Sequence, residues 1–424
     1  MSKARTLADY VGGGTTATEF DVLDGLTSTT AELNILDGVT STAAELNHVD
    51  GVTSNVQTQL NAKAPLASPA LTGTATAVNL TVSGDLVPST PMSHRNIIIN
   101  GAMGIAQRSS VAFAHDGTIA GYSEVDRYRL ETDSLGEWDG TLTQHDMTSA
   151  ELNTTGFAKA LKLTTGTAES SIGSNDIAYI TQKIEAQNLQ HLQYGTASAK
   201  TVTLSFWVKT SVAGTYSVGL YKSDSSARNI TATYTTTGTG WEYKTITFAG
   251  DTDATATIVN DNGEGLRLFW NLASGSTYDS SENTSWHNYA NASFAGGHAQ
   301  DGIITTASAT FLLTGVQLEL GSSATQFEHR SYGDELQRCM RYYETSNGNL
   351  WGYPITLQTG LTYRRCPIYF KVRKRSAPTT VTSSANVTVT GHQSVDIDGF
   401  TAYFDAIAQG NYCEVSYWTA YSEL

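Results

Sequence analysis

The amino-acid sequence predicts a mainly β protein that begins with a fibrous shaft of short helix-turn repeats and continues into a β-sandwich and a small C-terminal β domain. Three features lead to this prediction. A 13-residue unit recurs near the start, strand-like stretches in the remainder alternate apolar and polar residues, and Gly, Ser, Thr and Asn separate those stretches. Short strands joined by such turns, with little helix between them, are typical of two antiparallel sheets packed face to face.

The repeated unit is seen at residues 23–28, 36–41 and 49–54, where Leu or Val is followed by Asp-Gly, an apolar residue, Thr and Ser. In each copy a Thr stands three residues before a Glu, as Thr29 stands before Glu32, which is the spacing of a helix capping box. The Asp-Gly pair at the end of the unit is a helix stop. Each unit is therefore expected to form a very short helix followed by a turn.

Helices this short are marginal in water, where about 12 to 15 residues are needed even for good helix formers. Leu33 and Leu36 lie on one narrow stripe, which favours burial against the same stripe on parallel sister chains. We therefore expect a homo-oligomeric shaft. The alternative is a disordered linker rich in Thr, Ser, Ala and Asp.

Composition places the globular mass after residue 90. The first 90 residues contain only Tyr10 and Phe20 as aromatic residues, whereas the whole chain has 7 Trp, 21 Tyr and 12 Phe. The expected segments, in order, are a short N-terminal segment at 1–15, the repeat shaft at 16–60, an extended connector at 61–95, the sandwich at 96–330, a linker helix at 331–343 and the C-terminal β domain at 344–424. Two prolines, Pro65 and Pro69, support an extended connector.

Charge and targeting signals narrow the possible partners. The formal net charge of −15 argues against nucleic acid or an anionic membrane as a general partner. No apolar run approaches the roughly 20 residues that span a bilayer, so membrane insertion is not expected. The first residues lack the apolar core of a signal peptide, which favours synthesis in a cytosol. The 3 cysteines match neither a zinc site nor a redox pair, and no cofactor or metal is expected.

The alternating pattern places individual strands. The predicted strands of the sandwich include 201–209, 216–221, 243–248, 266–270 and 311–320. In the last of these the apolar register shifts, so we place a bulge near Gly315. Ser331 begins the linker helix, with Asp334 at the capping distance. The predicted strands of the C-terminal domain are 367–374, 386–390, 400–405 and 412–418.

Several segments together resemble tail fibre proteins of tailed bacteriophages. They are the Leu-Asp-Gly-Val-Thr-Ser-Thr repeats, Ala-Pro-Leu-Ala-Ser-Pro-Ala-Leu-Thr-Gly at 64–73, Asn-Ile-Ile-Ile-Asn-Gly at 96–101, Val-Gln-Leu-Glu-Leu-Gly at 316–321 and Phe-Glu-His-Arg-Ser-Tyr at 327–332. The resemblance covers most of the chain and implies a homotrimer with jelly-roll domains that resemble carbohydrate-binding modules. These motifs are structural, so no binding residue transfers with them.

The resemblance also implies where the protein works. It implies a protein of the virion tail, assembled in the host cytoplasm, that recognises a host surface polysaccharide such as lipopolysaccharide or capsule at its distal end. The N-terminus would attach to another phage tail protein. Only about 15 residues precede the repeats here, fewer than in many such fibres, so we expect a small helix within residues 1–11 to make that attachment.

Aromatic residues are the candidates for contact with a glycan, because sugar rings stack on Trp and Tyr while sugar hydroxyls bond to nearby polar side chains. The candidate glycan-binding residues are Tyr278, Trp286, Tyr289, Trp351, Tyr353 and Trp418. The first three lie in a loop rich in polar residues, and the last three lie towards the end of the chain. Packing is an equally good explanation for Trp286 and Tyr289.

Two further features of the sequence, a tryptophan in a strand and a run of basic residues, suggest surfaces that contact a partner or solvent. Trp207 alternates with the apolar face of its strand, and we expect it to lie at an interface with a sister chain. The run Lys371, Arg373, Lys374 and Arg375 is expected to form a solvated strand edge that discourages aggregation, with contact to anionic sugars as the alternative.

No catalytic residue is expected. The sequence has no Gly-x-Ser-x-Gly, no His-Glu-x-x-His and no phosphate loop, and carboxylate pairs such as Glu131 with Asp133 arise by chance among 40 acidic residues. The acidic segments 251–253 and 261–264 are expected to be solvated turns in preference to calcium sites. The leading hypothesis is a non-enzymatic fibre; the alternatives are a tailspike glycosidase or depolymerase, and a structural tail adaptor that binds another protein.

Overall fold

The computed structural model describes residues 16–47, 93–109, 111–113, 117–279, 285–346, 350–351, 364–383, 389–404 and 414–424, and single positions between residues 4 and 58. The predicted connector at 61–95 lies outside the described residues except for its last three, and the predicted segment at 1–15 is described only at single positions. The chain divides into two compact units, Met1–Leu86 and Val87–Leu424. None of the helices in the described ranges is long and apolar enough to cross a membrane.

Short helices stand at the repeats of the first unit. In its described residues they are α1 (Ala17–Leu23), α2 (Thr30–Ile35) and α3 (Ala43–Asn47). At the start of α2 the Thr29 backbone N–H donates to Glu32 Oε2 at 2.7 Å, and the Glu32 N–H donates to Thr29 Oγ1 at 3.3 Å. The same reciprocal bonds precede α1 and α3. Capping therefore fixes where each helix begins, while assembly of these helices into a trimeric shaft stays a prediction.

Two antiparallel sheets form the body of the second unit. One sheet, in spatial order, is β1 (Val111–Phe113), β4 (Gly140–Asp146), β5 (Lys159–Thr165), β13 (Thr310–Leu320), β7 (Val202–Thr210) and β10 (Glu242–Phe248). The other is β12 (His287–Asn288), β9 (Arg228–Thr236), β8 (Gly214–Lys222), β11 (Glu264–Ser274), β6 (Ile177–Glu185), β3 (Arg129–Leu135) and β2 (Gly117–Tyr122). The second is called the seven-stranded sheet below.

Strand β7 shows how the sandwich core is built. Leu204, Phe206 and Val208 are fully buried, and the Phe206 ring meets Trp270 of β11 edge to face at 5.8 Å. Burial of such side chains from both inner faces supplies the main favourable free energy of the fold. The mainly β class, the two-sheet sandwich and the five strands predicted within it are confirmed. The finer jelly-roll assignment stays a prediction.

The predicted bulge lies in β13. Its pairing with β7 shifts register between Thr314 and Gln317, and Gly315 adopts a φ of 61°, which favours glycine. A Cβ on Gly315 would lie 2.6 Å from the Phe157 ring, so a larger residue would also collide. Within the bulge, the Val316 N–H donates to the Gly101 carbonyl at 2.9 Å, which ties the strand to a segment near the start of the unit.

Helices are few in the described part of the second unit. They are α4 (Ser149–Thr155), α5 (Gly302–Thr305) and α6 (Tyr332–Met340), with 3₁₀ turns at Ala186–Leu192 and Asn291–Ser293. Helix α6 begins as predicted, because the Asp334 N–H donates to Ser331 Oγ at 3.2 Å. It leads from the sandwich into the C-terminal strands.

The C-terminal strands form small sheets around their own core. Those described are β14 (Tyr343–Thr345), β21 (Tyr417–Tyr421) and β17 (Thr379–Ser383) in one sheet, β15 (Leu350–Trp351) and β20 (Glu414–Val415) in a second, and β16 (Arg364–Tyr369), β19 (Gly399–Phe404) and β18 (Val389–Gln393) in a third. The strand predicted at 400–405 is confirmed within one residue. The strand predicted at 367–374 is wrong after Tyr369, where the chain turns.

The basic run after that turn is solvated only in part: Lys371 and Arg373 are exposed, whereas Lys374 and Arg375 bond within the protein. Lys374 is buried, and its ammonium donates to Glu344 and to the Met340 carbonyl. Burial lowers the pKa of Lys374 although Glu344 opposes the shift. Arg375 donates to the Ser422 carbonyl at 2.9 Å. The expectation is wrong for Lys374 and Arg375, because these two cations bond to acceptors that lie far away in sequence.

The end of the chain is fixed to the sandwich by a buried ion-pair cluster. Glu423 accepts from Arg108 Nη2 at 2.7 Å and from Arg127 Nη1, and all three side chains are less than a tenth exposed. The Arg127 guanidinium lies 3.4 Å from the centre of the Tyr342 ring. The Tyr122 hydroxyl donates to the Leu424 carbonyl at 3.0 Å. We call the contact of Glu423 with the two arginines the C-terminal clamp.

We expect the variant Glu423→Gln to lower the free energy of unfolding by about 3 kcal/mol, because it leaves the buried Arg127 guanidinium without its carboxylate partner, while Arg108 keeps Asp126. Urea denaturation followed by tryptophan fluorescence measures the change. Glu137→Gln, at an exposed position in the turn before β4, is the matched control and should change stability by less than about 0.5 kcal/mol. Equal stabilities of the two variants would contradict the role given to the clamp.

Candidate functional site

A groove of about 330 Å³ lies on the outer face of the seven-stranded sheet. Alternation along the strands decides which side chains reach it. In β6, Ala178 and Ile180 belong to the sandwich core, so Tyr179 between them points outward. In β8 the core residue Leu220 is followed in the same way by Tyr221. Side chains from neighbouring strands thus meet Tyr278, Tyr289, Asn291 and Phe294 in the groove.

The floor of the groove is aromatic. Phe269 of β11 stacks on Phe294 with ring centroids 4.3 Å apart, and Tyr179 meets Phe294 edge to face at 5.0 Å. Phe269 also covers Gly219 of β8, where an added Cβ would lie 2.5 Å from the ring. The absence of a side chain at Gly219 is what allows the ring to lie flat against the sheet, and the packed rings form a rigid apolar base.

Three half-buried tyrosines stand around this floor: Tyr221, Tyr278 and Tyr289. Tyr221 and Tyr289 meet edge to face at 5.1 Å, and the Tyr289 hydroxyl donates to Asn291 Oδ1 at 3.0 Å. Burial raises the pKa of Tyr221 and of Tyr289, so both hydroxyls stay neutral at physiological pH. Each ring keeps part of its surface open to a ligand.

A charged network completes the groove. The Tyr179 hydroxyl donates to Glu131 Oε2 at 2.6 Å, and Arg267 Nη1 lies 3.3 Å from the same hydroxyl and 3.7 Å from Glu131 Oε2. Arg267 Nε also donates to Glu264 Oε1 at 3.0 Å, and Lys183 pairs with Glu264 at 3.2 Å. The groove therefore offers hydrogen-bond donors and acceptors beside its aromatic rings.

The electrostatics of Glu131 limit the chemistry that it can perform. Burial acts to raise its pKa, but Arg267, the Tyr179 hydroxyl and Arg129 outweigh burial and hold the pKa of Glu131 below its ordinary value. A glycosidase acid needs a raised pKa so that it carries a proton to donate. Glu131 stays ionised and acts as an acceptor, which suits binding of hydroxyl groups better than acid catalysis.

The structure brings two of the six predicted residues into the groove, Tyr278 and Tyr289. It places Trp286 elsewhere, with its indole N–H donating to the Ala249 carbonyl at 2.8 Å and its ring 5.6 Å from Tyr194. Trp286 thus packs against the sandwich core. Packing, the alternative explanation given for Trp286, is the one that its contacts support.

The other three predicted residues, Trp351, Tyr353 and Trp418, lie in the C-terminal part of the chain, and none is among the described residues that line the groove. Trp418 is 3% exposed and packs against Phe370 and Phe400 at 5.7 and 5.9 Å, so a ligand cannot reach it, and its prediction as a binding residue is corrected. It is buried because it packs into the core that the C-terminal strands share. Trp351 lies in β15 with its side chain outside the described part, and Tyr353 lies outside the described residues.

The acidic segments 251–253 and 261–264 are predicted from the sequence to be solvated turns, with calcium sites as the alternative. In the structure their carboxylates bond to other groups of the protein. Asp251 is buried and pairs with Arg228 Nε at 2.6 Å, and Asp253 pairs with Arg228 Nη1 at 3.2 Å. Asp261 accepts from the Gly263 N–H at 2.7 Å. For Asp251 the expectation of a solvated turn is wrong. Within the described ranges, no group of three or more His, Cys, Asp or Glu side chains is arranged to hold a metal ion.

Sequence reasoning missed the residues of the groove that come from strands. Tyr179 and Arg267 each stand between two core residues and Tyr221 follows the core residue Leu220, which marks all three as outward-facing. Large aromatic residues on a solvated strand face are a usable signal. Their meeting depends on the strand order β8, β11, β6, β3, which no local pattern reveals.

Comparison with known proteins gives similarity in structure alone. No protein-family model and no curated protein matches the chain. The enzymatically active domain of tailspike protein 4 of bacteriophage CBA120 is 10% identical over 53% of this chain and 21% of that chain, with a TM-score of 0.27. This chain therefore spans about a fifth of that tailspike domain.

Carbohydrate-binding modules are also among the similar structures. The family 11 module of a cellulosomal cellulase of Clostridium thermocellum is 8% identical, with 50% of this chain and 99% of that chain covered and a TM-score of 0.25. A family 16 module is 17% identical, with 42% and 84% covered and a TM-score of 0.20. Scores this low carry no argument about function, and the β-sandwich assignment rests on the sheets described above.

The charged network makes a prediction about pKa. In the variant Tyr179→Phe the bond that stabilises ionised Glu131 is lost, so the pKa of Glu131 should rise towards its ordinary value. A carbon-13 NMR titration of the Glu131 carboxyl in both proteins measures the shift. Because the folded-state pKa lies below the unfolded one, Glu131 stabilises the fold above its ordinary pKa, and this contribution is lost as the pH falls. An unchanged or lower pKa in the variant would contradict the network.

Proposed function

We propose that this chain is a receptor-binding tail fibre protein of a tailed bacteriophage, and that the groove of its jelly-roll-like sandwich binds a host surface glycan without cleaving it. The observation that carries the proposal is the placing of Tyr221, Tyr278 and Tyr289 around an aromatic floor, beside Arg267 and Glu131. Sugar rings have apolar faces and polar edges, and this groove offers both kinds of contact.

The size of the groove suits a short stretch of saccharide. Ligand pockets in proteins span about 300 to 1,000 Å³, and this one measures about 330 Å³. Each binding event would be weak, because the rim is open and hydroxyl contacts exchange with water. Three copies in a homotrimer that reach one surface would act together and raise the effective affinity.

Support for the fibre class comes from the sequence. The repeats and the motifs at 64–73, 316–321 and 327–332 resemble tail fibres, and a trimeric shaft would explain the exposed apolar positions Leu33 and Leu36 of the repeats. A phage tail protein would hold the N-terminus, and the virion tail would be the place of action. Glu131 is ionised, so it suits the acceptor role of a binding site and not the role of the acid that the glycosidase alternative requires.

Groove variants test the glycan site. We expect Tyr221→Ala and Tyr289→Ala each to weaken binding to lipopolysaccharide or capsule of the host by about tenfold, because each removes one stacking surface. The two effects should add incompletely, since the rings touch. Tyr332→Ala, at a tyrosine that is 67% exposed and lies on α6, is the matched control.

The measurement is inhibition of phage adsorption by the purified protein, together with an assay for reducing ends released from the polysaccharide. Blocking without release, lost in the groove variants and kept in Tyr332→Ala, supports the proposal. Release of reducing ends would favour the depolymerase. Failure of the unaltered protein to block adsorption at any concentration would favour the adaptor.

The oligomeric state tests the shaft. Light scattering should give a mass of about 136 kDa, three times the 45.3 kDa of one chain. The double variant Leu33→Ser, Leu36→Ser should shift the population towards smaller species, because it removes apolar surface from the proposed interface. Val381→Ser, at an exposed position of the C-terminal strands, is the control and should stay trimeric. A monomeric unaltered chain would overturn the shaft.

A further inference from the structure

A second concavity shares no lining residue with the groove. It is a cleft of about 750 Å³ formed by α6, the segment 328–331 that precedes it and the turn at 372–373. Its lining includes four guanidinium groups, from Arg330, Arg338, Arg341 and Arg373, against two carboxylates. Four minus two leaves a local charge of +2 in a chain whose net charge is −15.

Two of these arginines are committed to the fold. Arg330 Nη1 donates to the Ile98 carbonyl at 3.0 Å and its other nitrogen to the Asn96 carbonyl. Arg341 donates from Nε and Nη2 to the two oxygens of Glu185, at 2.7 and 2.9 Å. These bonds hold the walls of the cleft in place.

The two carboxylates of the cleft are committed as well. Glu328 Oε2 accepts from the Asn96 N–H at 3.0 Å, and Asp334 Oδ2 accepts from the Ser331 hydroxyl at 2.7 Å. Burial acts to raise the pKa of Glu328, but the backbone N–H groups around Asn96 and the Arg330 charge outweigh it and keep the carboxyl ionised. Neither carboxylate pairs with the remaining arginines among the contacts of the described residues.

The other two arginines, Arg338 and Arg373, are available to bind an anion. Arg338, half-buried in the last turn of α6, makes no ion pair or hydrogen bond in the described part of the chain. Arg373 faces Asp398 at 3.5 Å, but the two side chains are 68% and 66% exposed, and such surface pairs are worth little. Arginine forks match the oxygens of phosphate and carboxylate groups and bind them through paired N–H donors.

We propose that this cleft binds the phosphate group of a phosphorylated saccharide, with Arg338 and Arg373 as the anion-binding residues. The volume leaves room for a sugar ring beside the phosphate, and the exposed His94 and the Gln337 side chain offer further polar contacts to that ring. The proposal does not rest on the glycan groove, because the two sites use different residues.

The test is calorimetric titration of the full chain with glucose 1-phosphate, with glucose and inorganic phosphate as reference ligands. We expect glucose 1-phosphate to bind at least tenfold more tightly than either reference. The double variant Arg338→Gln, Arg373→Gln should weaken this binding at least tenfold. Arg365→Gln, at an exposed arginine that lies over the Tyr403 ring of the C-terminal strands, is the matched control and should bind as the unaltered protein does.

Each other result would overturn the assignment. Equal affinity for inorganic phosphate would leave an anion site with no saccharide, and undiminished binding by the double variant would place the ligand elsewhere. Displacement of glucose 1-phosphate by a far tighter-binding poly-glutamate peptide would indicate an acidic protein partner. The variant Tyr289→Ala separates the two sites, since it should retain glucose 1-phosphate binding whether or not the groove binds a glycan.

Discussion

The fold of the second unit depends on one buried carboxylate. Glu423, next to the last residue, lies between Arg108 and Arg127, and 315 positions separate it from Arg108. Arg127 holds a left-handed backbone with a φ of 75°, which is costly for a residue with a side chain and persists only where its surroundings determine it. Closing so long a loop costs chain entropy. Glu423 is the carboxylate that pairs with Arg127, and Arg108 pairs with both Glu423 and Asp126, so buried charges hold the residues after the last strand to the sandwich.

The same clamp supports the charged part of the groove. The Arg127 guanidinium donates to the Lys183 carbonyl at 2.6 Å, and the Lys183 ammonium pairs with Glu264, which in turn orients Arg267. The path from the clamp to the ligand-facing side chains thus runs from Lys183 on strand β6 to Glu264 and Arg267 on strand β11. A guanidinium whose position is fixed loses little entropy when it bonds to a ligand, so the rigidity produced at the end of the chain serves recognition on the sheet face.

Local patterns in the sequence predict local structure well. Alternation located β7, the register shift located the bulge at Gly315, and the Ser331 cap located α6, since each depends on residues close together in the chain. Trp418 and Lys374 were misjudged because their burial comes from partners far away, namely neighbouring strands and Glu344. The groove was predictable only in part. The composition of the 278–289 loop indicates Tyr278 and Tyr289, whereas Tyr179, Tyr221 and Arg267 join them only through the strand order of the sheet.

A fourth copy of the repeat motif, in the sandwich, shows which features of the repeats do not depend on a shaft. Residues 148–153, Thr-Ser-Ala-Glu-Leu-Asn, repeat the pattern of 29–34, and α4 has the same capping box although it belongs to the sandwich. Capping is therefore local chemistry that needs no sister chain.

On the sandwich, Glu151 Oε1 also accepts from Lys209 and Trp241, at 3.0 and 3.1 Å. Residues 16–58 contain no Lys, Arg or Trp, so identical shafts cannot supply that second anchor. We therefore expect association of the proposed shaft to depend mainly on apolar burial, which salt does not screen.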